Sequence, residues 1–332
     1  VGELDLIRQI RGRLGGPGRG TVVGLGDDAA VFEPPKGLEL FTCDAFVEGV
    51  HFRRDFSSLQ EIGAKCMVAN VSDVAAMGGF PTRATVALCI PEAASDREVD
   101  ELYDGMIEVA ARYSFEIVGG DVVSSREGLV ISIALLGAAE AGRIVTRSGA
   151  VVGDAVLATG SFGASEAGLA SLLKGLPRSA AVDAARERHT SPRARLKEAQ
   201  AIIEVATPHA MIDVSDGLST DVWHVAEESG VGIRLERDAV PIAPAAQEIG
   251  HQIGRDPLEL ALASGEEFEL VAAIPPSELS RTVDHVEAVA GTEVTRIGEV
   301  VEAERGCTLV MGDGTEMPLE RRGYEHLSGD ER

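Results

Sequence analysis

Positive charge is scarce in this chain. Thirty basic residues stand against 54 acidic ones, and only four of the 30 are lysines. The formal net charge of −24 repels DNA, RNA and anionic membranes, which weighs against a nucleic-acid or membrane-surface role. Two readings of the acidity stay open. One is the residue balance of a GC-rich genome or a salt-tolerant host. The other is a concentration of metal-binding carboxylates. Both can hold, because a site needs only a few acids.

Long apolar runs are also missing. No stretch approaches the roughly 18–20 residues of a membrane span. Residues 1–13 are amphipathic and mixed in charge, without an apolar leader core. The expectation is a cytoplasmic protein with no membrane partner. The four cysteines, Cys43, Cys66, Cys89 and Cys307, form no CxxC pair. Neither a disulfide framework nor zinc spacing is present, and buried free thiols are expected. No low-complexity tract occurs, and no repeat of about 20–50 residues.

What remains is a globular composition, 45% hydrophobic over 332 residues, enough for two ordinary domains. Strand-like and helix-like segments alternate. Residues 21–25, 38–43, 84–90 and 129–136 read as strands. Residues 60–77 read as a helix, with Met67, Val71 and Val74 at helical spacing. Residues 97–113 form an amphipathic helix, with Val99, Leu102, Met106, Val109 and Tyr113 on one side. Past a Gly-containing stretch near 147–153, strands are expected at 156–159, 211–214, 231–235, 269–274 and 293–300. Helices are expected at 166–173 and 218–228. Residues 179–198 are a helix or an exposed connection, and the last few residues of the polar tail are expected to fray. The pattern is α/β or α+β, with domains 1–148 and 149–332.

Acidic residues recur at expected strand ends. Asp27 and Asp28 follow the first strand, Thr42-Cys43-Asp44 closes the second, and Gly119-Gly120-Asp121 follows another. Asp213-Val214-Ser215-Asp216-Gly217 joins a strand to a helix. Asp73 lies in the apolar helix, on the same side as Asn70, where Asp is a poor helix former. Two-residue spacing puts Thr42 with Asp44, and Asp213 with Ser215, on one face. Converging carboxylates repel by about 4 kcal/mol per pair at roughly 4 Å and an effective dielectric near 20. A positive partner must offset that, and oxygen ligands select Mg²⁺, Mn²⁺ or Ca²⁺ over zinc. Each motif taken alone is equally a turn or a helix cap; Ser215 could simply cap the helix near Leu218.

Standard nucleotide signatures fail. Gly24-Leu25-Gly26-Asp27-Asp28-Ala29 fits GxGxxA, but Pro34-Pro35 follows where a dinucleotide fold needs a helix. The Gly-rich run 15–21 lacks the P-loop lysine. No protein-kinase set and no GxSxG elbow occurs.

In order and spacing, these motifs resemble the thiamine-monophosphate kinase family, within the aminoimidazole ribonucleotide synthetase-like superfamily. The matching segments are GDDAAVF (26–32), TCDAFVEGVHF (42–52), AKCMVANVSDVAAMGGFP (64–81), GGDVV (119–123), TRSGAVVGD (146–154), DVSDGL (213–218) and SGEEFEL (264–270). They span most of the chain. The resemblance implies an N-terminal domain (1–148) that binds ATP and Mg²⁺ and pairs its sheet across a homodimer. It implies a C-terminal α/β domain (149–332) completing the active-site cleft. It implies the reaction ATP + thiamine monophosphate → ADP + thiamine diphosphate, assisted by several Mg²⁺ ions.

By the same resemblance, Asp27, Thr42, Cys43, Asp44, Asp73, Asp121, Asp213 and Asp216 fall at metal positions. Gly120, Asp121, Arg147 and Ser215 fall at ATP positions, and His51, Glu267 and Tyr324 at substrate positions. Catalysis would centre on Asp27, Asp44, Asp73, Asp121 and Asp213. Three residues depart from the family pattern. Cys43 stands for Thr or Ser, which is harmless if the backbone carbonyl binds and weakens one ligand if the hydroxyl does. Glu267 stands for Asp. Tyr324 stands for an aromatic that is often Trp; it could stack on a cationic ring or pin the tail to the core. His51 has a packing alternative, and Trp223 is assigned to the core.

The chemistry agrees. A phosphate monoester acceptor has a second pKa of about 6 and needs no strong base, so positioning and electrostatics suffice for direct in-line transfer. An aminoimidazole ribonucleotide synthetase-type cyclase and a non-catalytic nucleotide- or metal-binding member of the fold are the alternatives. The first cysteine and first lysine, Cys43 and Lys36, lie too far along the chain for a selenophosphate synthetase.

Overall fold

The computed structural model describes residues 3–324 except 15, 17, 19, 26 and 92. The chain divides into two compact units. The first is Val1–Ala75 with Gly79–Ile144, and the second is Ala76–Gly78 with Val145–Arg332.

The first unit runs α1 (Glu3–Leu14), β1 (Thr21–Val23), β2 (Val31–Phe32), β3 (Leu38–Val47), α2 (Leu59–Ala76), β4 (Phe80–Pro91), α3 (Asp96–Tyr113), β5 (Glu116–Ser125) and β6 (Val130–Ala139). Four strands form one sheet in the order β3-β6-β4-β5, with β4 and β5 parallel. One face is closed: Ile131, Ile133, Leu135, Val86 and Leu88 are fully buried. The other face is open, and Phe41, Cys43, Ala45, Thr85, Ala87 and Val123 are exposed on it.

Both long helices start on the same device. Ser58 and Glu61 bond reciprocally at the head of α2, and Ser95 and Glu98 form a capping box on α3, each worth about 1 kcal/mol. The two helices cross at glycines. A Cβ on Gly63 would sit 2.1 Å from the Leu102 carbonyl oxygen, and one on Gly105 would sit 1.9 Å from that of Gln60. Only hydrogen fits at either point.

Two expectations are corrected in this unit. β3 does not close at Asp44 but continues to Val47, and Asp121 lies within β5 rather than after a strand. Gly120 makes the second possible, because a Cβ there would sit 2.1 Å from the Val86 carbonyl oxygen. Gly120 thus serves strand packing and is not a strand stop.

The second unit runs β7 (Ala155–Thr159), α4 (Ala164–Leu173), α5 (Ala180–Thr190), α6 (Leu196–Val205), β8 (Ala210–Asp213), α7 (Leu218–Ser229), β9 (Gly232–Glu236), α8 (Pro244–Ile253), α9 (Pro257–Ala263), β10 (Leu270–Ile274), α10 (Leu279–Ala290), β11 (Val294–Val301), β12 (Cys307–Val310) and β13 (Glu316–Pro318). Its seven-stranded sheet has the order β13-β12-β9-β11-β7-β10-β8. β7, β8 and β10 are wholly buried, which is why they read as plain apolar runs. The expected single segment 179–198 is two helices, α5 and α6, parted at Pro192.

Trp223 packs against this unit's core and donates its indole N–H to the Leu319 carbonyl. Cys66 and Cys307 are buried, Cys89 is half-buried, and Cys43 is exposed, against the expectation of buried thiols. The outermost tail residues, 325–332, lie outside the described residues. No helix among the described residues is long and apolar enough to cross a membrane.

Candidate active site

In the first unit, the closed side of β3 carries Thr42 and Asp44. The Thr42 hydroxyl donates to an Asp73 carboxylate oxygen at 2.6 Å. Asp73 sits in the last turn of α2, where the helix dipole opposes negative charge and the turn itself contains no basic residue. Burial, and then the charge of Asp73, push the Asp44 carboxyl up to about 6. A fold that gathers these groups at such local cost holds a reservoir of negative charge for a cation. All three donors are oxygens, which suits a hard dication.

Cys43 points to the opposite, exposed face of β3, where its sulfur lies 3.7 Å from the Ser132 hydroxyl. Of its two expected binding modes, the side-chain one is therefore directed away from Asp44 and Asp73. Asp121 also departs from that cluster. Pairing places Asp44 in one row with Ile133, Val86 and Gly120. Asp121 is in the next row with Ala87, Ser132 and Ala45, on the open face. Three strand spacings of about 4.8 Å separate β3 from β5, so one chain does not bring Asp44 and Asp121 to a single ion. Asp27 is exposed, accepts from the Asp28 amide at 2.9 Å, and borders an open cavity of about 850 Å³ with Arg11, Phe115 and Val118.

His51 follows β3 in a tight turn. The Val47 amide donates to its Nδ1 at 3.0 Å, which in the neutral ring leaves the proton on Nε2. Its ring packs edge-on to Phe46.

In the second unit, Asp213 ends the edge strand β8 and is buried at 2% exposure. The loop after it is shaped by a residue that sequence reasoning missed. One oxygen of Asp221, in the first turn of α7, accepts from the amides of Ser215, Asp216 and Gly217, each at 3.1 Å. Burial, then Asp216 and Asp213, push the Asp221 carboxyl well up. Ser215 is not the helix cap: Gly217 is the N-cap of α7, and no side chain caps it. Asp216, Asp221 and His224 have ligand atoms within 4.8 Å of one another. The only local signal was a second acid, Asp221, in the first turn of the helix that follows Asp216.

Tyr324 is joined to this loop, since its amide donates to the Asp216 carbonyl at 2.9 Å. Its side chain is 40% exposed, so the tail is pinned by backbone while the ring stays open. Arg147 is also exposed, in a loop held by the Thr146 carbonyl, which accepts from Met211 N. Glu267 is wholly buried, and its carboxylate takes the amides of Gly163 and Ser165, the Ser264 hydroxyl and Arg188. Burial pushes it up, while Arg188 and Ser264 pull it back. The second unit thus brings together Asp213, Ser215, Asp216 and Tyr324, but leaves Glu267 no face for a ligand.

Residues 26–139 match the N-terminal domain, and 151–309 the C-terminal domain, of the family described as AIR synthase related protein. Fold and carboxylate-rich loops together therefore define a two-domain AIR synthase-related protein. A Bacillus subtilis thiamine-monophosphate kinase is 35% identical over 98% of this chain and 99% of its own. A solved thiamine-monophosphate kinase from Stenotrophomonas maltophilia superposes with TM-score 0.82 at 28% identity, covering 96% of each chain. A structure described as AaThiL complexed with AMPPCP and TMP superposes with TM-score 0.78 at 33% identity, covering 98% of this chain and 97% of that one. The chain belongs to the thiamine-monophosphate kinase family.

Proposed function

We propose that this protein transfers the γ-phosphoryl group of ATP to thiamine monophosphate, by direct in-line attack of the acceptor phosphate. The observation that carries the proposal is the Thr42–Asp73–Asp44 cluster, two carboxylates packed together in a chain of this family. A relative's name pairs the same fold with an ATP analogue and TMP.

In this reading Asp27, Thr42, Asp44, Asp73 and Asp121 of the first unit hold magnesium, with Cys43 contributing through its backbone. Asp213 and Asp216 do so in the second unit. Magnesium, when bound, would neutralise the repulsion between two phosphate-bearing anions. Gly120, Asp121, Arg147 and Ser215 hold the nucleotide; Arg147 adds a fixed charge, and Gly120 lets the backbone approach. His51, through Nε2–H, and the open ring of Tyr324 orient the acceptor. With a second pKa of about 6 the acceptor attacks without a base, and none of these residues is asked to remove a proton.

A homodimer built on the open face of the four-stranded sheet belongs to the same proposal. Exposed Phe41, Ala45, Ala87 and Val123 support it, and so does Asp121 on that face, away from Asp44 of its own chain. A second copy would bring Asp121 to the other copy's Asp44.

The test is incubation with Mg-ATP and thiamine monophosphate. Thiamine diphosphate is expected, with turnover abolished in Asp44→Ala and Asp213→Ala while circular dichroism stays unchanged. Absence of product with ATP still bound would refute the function. A labelled phosphoprotein formed from ATP alone would refute direct transfer.

A further inference from the structure

Glu267 is an acid with no solvent access, and its surroundings say what it does. It sits opposite the turn between β7 and α4, Gly160-Ser161-Phe162-Gly163. A Gly-rich strand-to-helix turn of this kind ordinarily leaves free amides for a phosphate. Here those amides are taken from within. The cap residue of α4, Gly163, has φ +92 and no side chain to cap with. Glu267 accepts from Gly163 N at 2.7 Å and Ser165 N at 3.1 Å, and the Ser264 hydroxyl accepts from Glu166 N at 3.0 Å.

The same segment backs the Asp213–Gly217 loop. Glu266 N donates to the Ser215 carbonyl and Phe268 N to that of Val214, both at 2.8 Å, while Val214 N donates to the Glu269 carbonyl at 2.7 Å. Glu266 and Phe268 flank Glu267 with φ of 57° and 51°, a left-handed backbone costing roughly 1–2 kcal/mol at each non-glycine residue. Arg188 ties the crest down, through the Glu267 carboxylate at 3.2 Å and carbonyl at 2.6 Å and through Glu269. Arg195 grips Glu269 from the other side at 2.6 Å.

We propose that Glu267 is a positioning residue: it caps α4 and locks the left-handed segment 266–268, to which the loop of Ser215 and Asp216 is hydrogen-bonded, and it does not touch the substrate. This deepens the proposed function and rests on it for the kinetic readout.

The experiment compares Glu267→Gln, Arg188→Met and the double variant with the intact protein, by steady-state kinetics and amide hydrogen exchange. Either single variant should lower kcat roughly tenfold or more, with KM for thiamine monophosphate within about threefold. The double variant should be no worse than the poorer single, because both changes release one clamp. Exchange should quicken in 160–166, 213–217 and 264–269. A tenfold or greater rise in acceptor KM with kcat kept would mean that Glu267 binds substrate, and would overturn the inference. Unchanged exchange in 213–217 would overturn it too. If Glu267→Gln does not fold, Ser264→Ala carries the same comparison, with a smaller effect in the same direction expected. Should the intact protein make no thiamine diphosphate, the proposed function fails, and the exchange of 213–217 still decides the role of Glu267.

Discussion

Asp44 shows how much a single side chain contributes at the residue scale. Its carboxyl stands at about 6 against an ordinary 3.8, so the folded state holds a proton that the unfolded state has already released. Stability from this group is full below about pH 4 and is lost as pH rises through about 6. The shift corresponds to at most about 3 kcal/mol, reduced by the partial solvent access of the group. For metal-free protein, Asp73→Asn should gain stability over the parent above pH 6 and show little difference at pH 4, read from urea midpoints. Parallel profiles for the two proteins would remove Asp73 as a cause. Asp44, Asp73 and Thr42 were legible in sequence because Asp is out of place in an apolar helix and two-residue spacing gives a shared face. Asp221 was not. Its role is to collect the amides of the loop just before α7, and an acid in the first turn of a helix is too common to announce that by itself. Glu267 was legible as a motif member but not as a buried cap, because its partners lie about a hundred residues away, at Gly163 and Ser165.

Among elements, α2, α3, α4 and α7 were legible, while α8, α9, α10 and several strand limits were not. The one-sided apolar stripe of α3 and the apolar run of α2 announce both helices locally, and the structure adds a reciprocal Ser–Glu pair at the head of each. β3 and β5 run past their expected ends, because Asp44 and Gly120 obey the sheet's packing rather than their own low strand propensity. Pro192 divides α5 from α6 in a stretch whose composition alone suits one helix. α2 and α3 approach backbone to backbone where they cross. Gly105→Ala should cost about 3 kcal/mol, since its methyl would meet the Gln60 carbonyl oxygen and both helices must separate. Guanidinium denaturation with an unchanged slope would report that loss. A loss below about 0.5 kcal/mol would show that the helices slide apart freely.

For the whole molecule, the charge of −24 and the two faces of one sheet set the expectations. If the Asp121 of one copy serves the Asp44 of another, two inactive variants must repair each other. Asp44→Ala and Asp121→Ala should each be inactive as purified. Mixed after dissociation and reassociation, they should regain up to roughly a quarter of parental activity. That figure follows from random pairing in a closed two-fold dimer, in which half the pairs are mixed and each mixed pair has one intact site. A mixture that stays inactive, while light scattering shows that dimers have exchanged, would place both carboxylates in one chain's site or in separate ones.

The sequence by itself determined which residues carry charge at unfavourable places, their order along the chain, and hence the family. Those are local facts of composition, spacing and propensity. Only the tertiary structure decided which carboxylates share a neighbourhood: Asp44 with Asp73, Asp213 with Asp216 and Asp221, and Asp121 on the far face. It also turned Glu267 from a candidate contact into a buried cap. Strand register and helix-end hydrogen bonds join residues far apart in the chain, and local patterning carries no record of those partners.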